Sequence, residues 1–205
     1  KINNKTKIKF TDKLIKLLRT KINSKKQLQY NLREQNNKNI GKIICLIGPP
    51  GVGKSILSIN LGKSYMYSNN KILIIDADCI NNSLNVILGI KIFSEKINNK
   101  NYSNNIIKIN NKIDMYTNIE KLTNINLLEK NLITVINELK KIYNYIIIDT
   151  NSIELIEFNS KLIEISDMSL FISDTNLLEI NKSIKLLDKY INKFKINKNK
   201  FNIIF

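Results

Sequence analysis

The chain has 205 residues, enough for one domain with a substantial core. It contains no histidine, which excludes His-based catalytic triads and His metal sites. The net charge is +16, and residues 1–40 carry twelve Lys and Arg residues beside only two acidic ones. This leader is basic enough to touch DNA or an anionic membrane, although we favour a solvated arm that reflects the Lys-rich composition.

The two cysteines, Cys45 and Cys79, lie in or beside apolar runs and lack the spacing of a metal site. We therefore expect reduced, buried thiols and a cytoplasmic protein. No apolar run approaches the roughly 18 residues of a membrane span, and no signal peptide is recognisable. The chain begins at Lys1 and ends at Phe205 inside an apolar run, which suggests a piece truncated at the C-terminus.

Residues 1–40 are predicted to form a basic N-terminal extension that contains one amphipathic helix. Thr11 is its candidate N-cap, and the residues at helical spacing after it are Leu14, Ile15, Leu18 and Ile22. Such a helix is able to lie on a membrane surface, but packing against its own domain is the commoner role.

From Gly41 onward the pattern changes to alternating strands and helices, which predicts one domain over residues 41–205. The predicted strands are 42–47, 71–75, 106–109, 113–116, 145–148, 168–172 and 201–205. The predicted helices are 54–67, a short one before Gly89, a long one around 127–142, then 153–165 and 177–194. Because the Ile, Leu and Val runs are continuous, the strands should be buried on both faces. The predicted fold class is α/β, a doubly wound, mostly parallel sheet flanked by helices.

The turn between the first predicted strand and helix matches the phosphate-loop pattern G-x-x-x-x-G-K-[ST]. We expect its backbone and side chains to bind a nucleotide through Gly48, Pro49, Pro50, Gly51, Val52, Gly53, Lys54, Ser55 and Ile56. Glycines let backbone N–H groups crowd around a polyphosphate, and the following helix adds positive potential. Lys54 would reach the β- and γ-phosphates, and the Ser55 hydroxyl would ligate Mg²⁺.

Acidic residues follow two other predicted strands, where ligands of such sheets bind. Asp76 and Asp78 end the second strand, and Asp149 follows the strand 145–148. Asp149 has the position of a Walker B acid, whose carboxylate holds Mg²⁺ directly or through water. The loop and these acids should therefore converge on one site.

Several strings around these acids resemble the MinD/ParA class of P-loop ATPases. They are the D-x-D strand Lys71–Asp78, the pairs Ser83-Leu84 and Leu88-Gly89, and the strand Tyr145–Thr150 with the following Ile165-Ser166-Asp167. The resemblance covers about residues 42–205. It implies the cofactors ATP and Mg²⁺, and a nucleotide-dependent homodimer that acts as a switch for a partner that the sequence does not identify. It also implies that Lys54 and Asp78 are catalytic, with Asp78 positioning the attacking water, and that Asp76 joins Ser55 and Asp149 at the metal.

Two departures leave the branch of this class open. Pro49 stands where MinD and ParA proteins carry a signature lysine, so a hydrolytically weak nucleotide-binding scaffold is one alternative. The loop Pro50–Ser55 and the helix segment Lys16–Ile22 are similar to the bacterial capsular tyrosine kinases, a second alternative. Lys13, Ile80 and Ser152 depart from the kinase pattern. The pilus-assembly ATPases, with their degenerate site, are a third related branch.

Two other nucleotide-binding classes fit less well. Asn111-Lys112-Ile113-Asp114 spells the guanine-specificity motif, but it precedes Asp149 instead of following it, and the chain is rich in Asn and Lys. AAA+ enzymes carry a glutamate after the Walker B acid, where this chain has Thr150. The expected location is the cytoplasm, with the inner face of the membrane as a possible peripheral site.

Overall fold

The computed structural model describes residues 40–78, 83–90, 105–117, 125–150 and 155–205. The chain separates into a unit of residues 1–38 and a unit of residues 39–205, and the described residues all belong to the second. The amphipathic helix expected within residues 1–40 therefore lies outside the described residues, as do Cys79, Ile80 and Ser152.

Within the described ranges the strands and helices alternate as expected. The strands are β1 (Lys42–Ile47), β2 (Ile72–Ala77), β3 (Ile106–Lys108), β4 (Ile113–Thr117), β5 (Tyr145–Thr150), β6 (Met168–Ile172) and β7 (Phe201–Ile204). The α-helices are α1 (Lys54–Met66), α2 (Ser83–Ile87), α3 (Ile125–Leu139), α4 (Ile156–Ile165) and α5 (Leu177–Asp188). A π-helical turn (Lys189–Lys193) follows α5, and a 3₁₀ turn (Lys198–Lys200) precedes β7.

The seven strands form one sheet in the order β3-β4-β2-β5-β1-β6-β7. Every neighbouring pair is parallel except β3 and β4, which are antiparallel. Parallel neighbours require crossover connections, and the helices between them supply these connections. The predicted α/β fold, with a doubly wound and mostly parallel sheet, is confirmed.

Helices cover both faces of the sheet, and alternate strand residues point to each side. One face carries Ile74 and Ile147 and packs against Ile59 of α1 and Leu84 of α2. The opposite face packs against residues of α3, α4 and α5, among them Ile136, Phe158 and Leu186. Because strands β1, β2 and β5 are buried on both faces, their sequences are continuously apolar rather than alternating.

The strands that carry the acids are longer than the apolar runs that predicted them. β2 continues through Asp76 to Ala77, and β5 continues through Asp149 to Thr150. The parallel ladder pairs these last residues, so backbone hydrogen bonding, and not hydrophobicity, sets the strand ends. Asp76 and Asp149 therefore lie in the sheet itself, whereas Asp78 follows the end of β2.

A lysine holds the end of α4 against the edge strand β7. The Lys200 Nζ donates to the carbonyl oxygens of Ile163 at 3.2 Å and Ser166 at 2.9 Å, and also to that of Glu164. A cation at this end complements the partial negative charge of the helix terminus. In the described part of the chain, no helix is long and apolar enough to cross a membrane.

Candidate functional site

The phosphate loop has a backbone that only glycine adopts easily. Gly48 has a φ of 153°, Gly51 a φ of 80° and Gly53 a φ of 85°. A Cβ atom at Gly48 would lie 2.2 Å from the carbonyl oxygen of Ile172 on β6, so no larger residue fits there. Gly53 is the N-cap residue of α1, so the loop leads directly into the positive end of that helix.

Lys54 is folded back over its own loop. Its Nζ donates to the carbonyl oxygens of Pro49 at 2.9 Å and Gly48 at 3.2 Å, and the side chain is buried. Burial lowers the pKa of Lys54, while the charges of Asp149 and Asp78 partly oppose that shift. The ammonium group therefore lies between the loop and two of the predicted acids, close enough to interact with all three.

Asp76 and Asp149 are direct neighbours on adjacent parallel strands. Their Cα atoms are register partners across β2 and β5, so both side chains leave the same face of the sheet. Each residue is only 1% exposed, and Asp78, just after β2, is 8% exposed. The structure thus brings the three acids predicted from sequence to one buried place beside the loop.

These carboxylates are poorly satisfied by protein groups. Asp76 Oδ1 accepts a hydrogen bond from the Asp78 backbone N–H at 3.2 Å, but Asp76 Oδ2 and both oxygens of Asp149 have no partner among the described residues. The Ser55 hydroxyl favours the ionised form of Asp149, and it also makes a hydrogen bond with the Ser83 hydroxyl at 3.0 Å. Buried carboxylate oxygens without donors point to a missing cationic or hydrogen-bonding ligand.

Burial raises the pKa values of both Asp76 and Asp149. It raises the pKa of Asp76 to about 7, with the charges of Asp149 and Asp78 adding to the shift and backbone donors opposing it. Burial likewise raises the pKa of Asp149 to about 6, against the opposing effects of Ser55 and Lys54. Perturbed acids in a shared buried place are typical of functional sites.

The donor set fits a hard divalent cation such as Mg²⁺. Two carboxylates and a hydroxyl supply only oxygen ligands, which Mg²⁺ prefers. No group of three or more His, Cys, Asp or Glu side chains arranged to hold a metal occurs in the described ranges. Phosphate oxygens and water would have to complete the shell, as is usual where Mg²⁺ is bound together with a nucleotide.

The other predicted loop residues differ in exposure: Pro50, Gly51 and Ile56 are exposed, Val52 is half-buried and Pro49 is buried. Ile56 lies in the first turn of α1, where its backbone N–H lacks an intrahelical partner. Sequence reasoning missed Thr117, which ends β4 as the register partner of Asp76. A polar residue at the carboxyl end of a strand was the available signal.

Comparisons with known proteins identify the family of this domain. Residues 43–205 match the family model described as the CobQ/CobB/MinD/ParA nucleotide binding domain. The uncharacterized protein MJECL24 of Methanocaldococcus jannaschii is 33% identical over 118 residues, covering 48% of this chain and 46% of that protein. This chain therefore spans about half the length of that curated relative.

Solved structures share the fold. A plasmid partition protein from Borrelia burgdorferi B31, solved bound to AMPPNP, is 24% identical with a TM-score of 0.60, covering 80% of this chain and 74% of that chain. The tyrosine kinase domain of BceF is 18% identical with a TM-score of 0.58, covering 79% of this chain and 68% of that chain. At these identities the likeness shows the fold alone. Because the family model matches most of the chain, this protein belongs to the CobQ/CobB/MinD/ParA nucleotide-binding family.

Proposed function

We propose that this chain binds ATP with Mg²⁺ and hydrolyses it as a switch that controls dimerisation and partner binding. The observation that carries the proposal is the pairing of a glycine-built phosphate loop with two register-matched, buried carboxylates, three of whose four oxygens lack donors among the described residues. A polyphosphate in the loop and a cation beside the acids would satisfy both groups together.

Each side chain has a role in this proposal. Lys54 would leave the loop carbonyls and neutralise the β- and γ-phosphates, while Ser55, Asp149 and Asp76 would hold Mg²⁺ and its waters. Asp78 would position the water whose oxygen bonds to the γ-phosphorus as the bond to the ADP oxygen breaks. The Mg²⁺ ion would supply charge neutralisation at the phosphates.

The test compares ATP binding and phosphate release by the purified protein with those of two variants. Lys54→Ala should weaken ATP binding by more than about tenfold, because a lost charge-assisted contact costs about 1.5–3 kcal/mol. Asp78→Ala should keep ATP affinity and slow phosphate release by about 100-fold or more, as expected for the loss of a water-positioning group.

Matched controls exist outside the site. Lys63 is an exposed lysine of the same helix, and Asp188 is an exposed acid at the end of α5. Lys63→Ala and Asp188→Ala should behave like wild type in both assays. Equal and slow phosphate release by wild type, Lys54→Ala and Asp78→Ala would refute the switch.

A second candidate is a scaffold that binds nucleotide without useful turnover. Two observations favour it: Pro49 stands at the signature-lysine place, and Lys54 is already engaged by the Gly48 and Pro49 carbonyls. This candidate predicts tight ATP binding without phosphate release above background. A tyrosine kinase predicts instead radiolabel transfer from ATP to a tyrosine peptide.

We also propose that ATP promotes a homodimer and that the protein is cytoplasmic, with contact between the basic leader and DNA or an anionic membrane as the alternative to a solvated arm. The support is the family resemblance and the charge of residues 1–40, together with the buried free thiol of Cys45. Mass measurement by light scattering with and without ATP tests the dimer. Adding DNA or anionic liposomes to the phosphate-release assay tests contact with the leader. An effect on phosphate release that does not weaken as the salt concentration rises would count against an electrostatic contact.

A further inference from the structure

The hydroxyl of Thr117 is buried at the carboxyl end of β4. Thr117 is 0% exposed, and its Oγ1 has no hydrogen-bond partner among the described residues. Buried hydroxyls are nearly always hydrogen-bonded, because an unpaired one destabilises the folded chain. Thr150, at the end of β5, shows the usual situation: its Oγ1 donates to the Leu46 carbonyl oxygen at 2.7 Å.

The register of β4 shows to which face of the sheet the Thr117 side chain points. Its Cα is the register partner of Asp76, which in turn is the register partner of Asp149. Residues in one such row point to the same face, and Met115, two residues earlier on β4, packs with the side chains beneath α1. Thr117, Asp76 and Asp149 therefore form one row of polar side chains across three strands, on the α1 side of the sheet.

The row also accounts for one further unsatisfied oxygen, Asp76 Oδ2. Adjacent strands lie about 4.8 Å apart, and the Thr117 and Asp76 oxygens make no hydrogen bond to each other, so one water would be suited to bridge them. Among the residues that the structure describes, the neighbouring Thr117 and Asp76 thus each present an oxygen without a hydrogen-bond partner. A water between them would be hydrogen-bonded by both.

We propose that Thr117 is a positioning residue for the cation site, holding a water of the Mg²⁺ shell together with Asp76. The inference rests on the proposed function and deepens it. A hydroxyl is suited to this task because it accepts from the water and donates onward, whereas a third carboxylate would add charge. Residues that hold the ligands or waters of a metal, rather than the metal itself, typically change metal affinity by about 10- to 100-fold when they are removed.

The test uses two substitutions and separates stability from binding. Thr117→Val keeps the shape and removes the hydroxyl, and Thr117→Ser keeps the hydroxyl. ATP dissociation constants are measured in EDTA and in excess Mg²⁺, and their ratio gives the coupling between cation and nucleotide. Thr117→Val should lower that ratio about tenfold without changing the value in EDTA, and Thr117→Ser should keep the wild-type ratio.

Stability in EDTA should move in the opposite direction. Removing an unpaired buried hydroxyl should raise the Tm of Thr117→Val by about 2–4 °C. The matched control Thr150→Val removes a paired hydroxyl and should lower the Tm. A gain in Tm with a loss of Mg²⁺ coupling is a combination that a merely structural threonine does not produce.

The outcomes distinguish the two proposals. If wild type shows Mg²⁺ coupling and Thr117→Val keeps it, the assignment of Thr117 is wrong and the proposed function stands. The assignment is also wrong if Thr117→Val weakens ATP binding equally in EDTA, or if Thr117→Ser fails to retain the coupling. If the ATP affinity of wild type is the same in EDTA and in Mg²⁺, both proposals fail.

Discussion

Replacing Asp149 with asparagine should stabilise the ligand-free protein and abolish its response to Mg²⁺ and ATP. The side chain is 1% exposed, and neither of its oxygens has a hydrogen-bond partner in the described ranges. Asparagine has nearly the same shape as aspartate but is neutral, so the folded variant does not have to bury an ionised group at this position. The substitution also removes a neighbouring charge that raises the pKa of Asp76.

The magnitude follows from the pKa values. Burial raises the pKa of Asp149 from an ordinary 3.8 to about 6. Each pKa unit corresponds to about 1.36 kcal/mol, so the ionised carboxylate lowers the free energy of unfolding by about 3 kcal/mol at neutral pH. Between about pH 4 and pH 6 the folded chain binds more protons than the unfolded chain, so wild-type stability falls as the pH rises. In a domain of this size 3 kcal/mol is about 6–12 °C in Tm.

Thermal unfolding in EDTA at several pH values measures this effect. At pH 7.5 Asp149→Asn should have the higher Tm, and the difference should vanish near pH 4, where wild type is protonated. Adding Mg²⁺ and ATP should raise the Tm of wild type and leave that of the variant nearly unchanged. Asp188→Asn, at an exposed position, should match wild type throughout. An Asp149→Asn protein that is less stable than wild type at pH 7.5 in EDTA would refute the reasoning.

Three further expectations follow from the described residues. Gly48→Ala should lower the free energy of unfolding by about 3 kcal/mol or more, because the added Cβ would clash with the Ile172 carbonyl oxygen of β6. Gly51→Ala should lower it by only about 1–2 kcal/mol, because its Cβ would meet no atom within 4 Å and the cost is that of the positive φ alone. Urea unfolding measures both values. Lys200→Met should lose about 1–2 kcal/mol through the uncapped α4 terminus, and Lys198→Met, at an exposed position, should not. Cys45, whose pKa burial raises far above its ordinary value, should resist iodoacetamide until urea unfolds the chain, as peptide mapping would show.

The sequence predicted the elements well where a single physical cause dominates. Continuous apolar runs identified the central strands β1, β2 and β5, since burial on both faces leaves no alternation. The boundaries fell short at Asp76 and Asp149 because hydrophobicity stops one or two residues before the hydrogen-bonded ladder does. In the C-terminal part of the chain, residues 177–194 were predicted to form one helix, but α5 ends at Asp188 and a π-helical turn follows it.

The grouping of the candidate site residues was predictable from the sequence, but their contacts were not. The glycine pattern and the strand-end acids were sufficient to name Lys54, Asp76 and Asp149. That Lys54 donates to its own loop depends on local packing that the motif does not encode. Thr117 was missed because its proposed role depends on strand order. β4 lies beside β2 in the folded sheet, and the sequence alone does not reveal that Thr117 is the register partner of Asp76.

The strand order has a consequence for how the chain is made. β1 pairs only with β5 and β6, although roughly a hundred residues separate it from the nearer of these partners along the chain. A ribosome adds about 5–20 residues per second, so β1 waits about 5–20 seconds after its own synthesis before either neighbour exists. During that interval an apolar strand has two open edges, which is the condition that favours chaperone capture or aggregation. Stalled chains that end before Tyr145 would remain in that state.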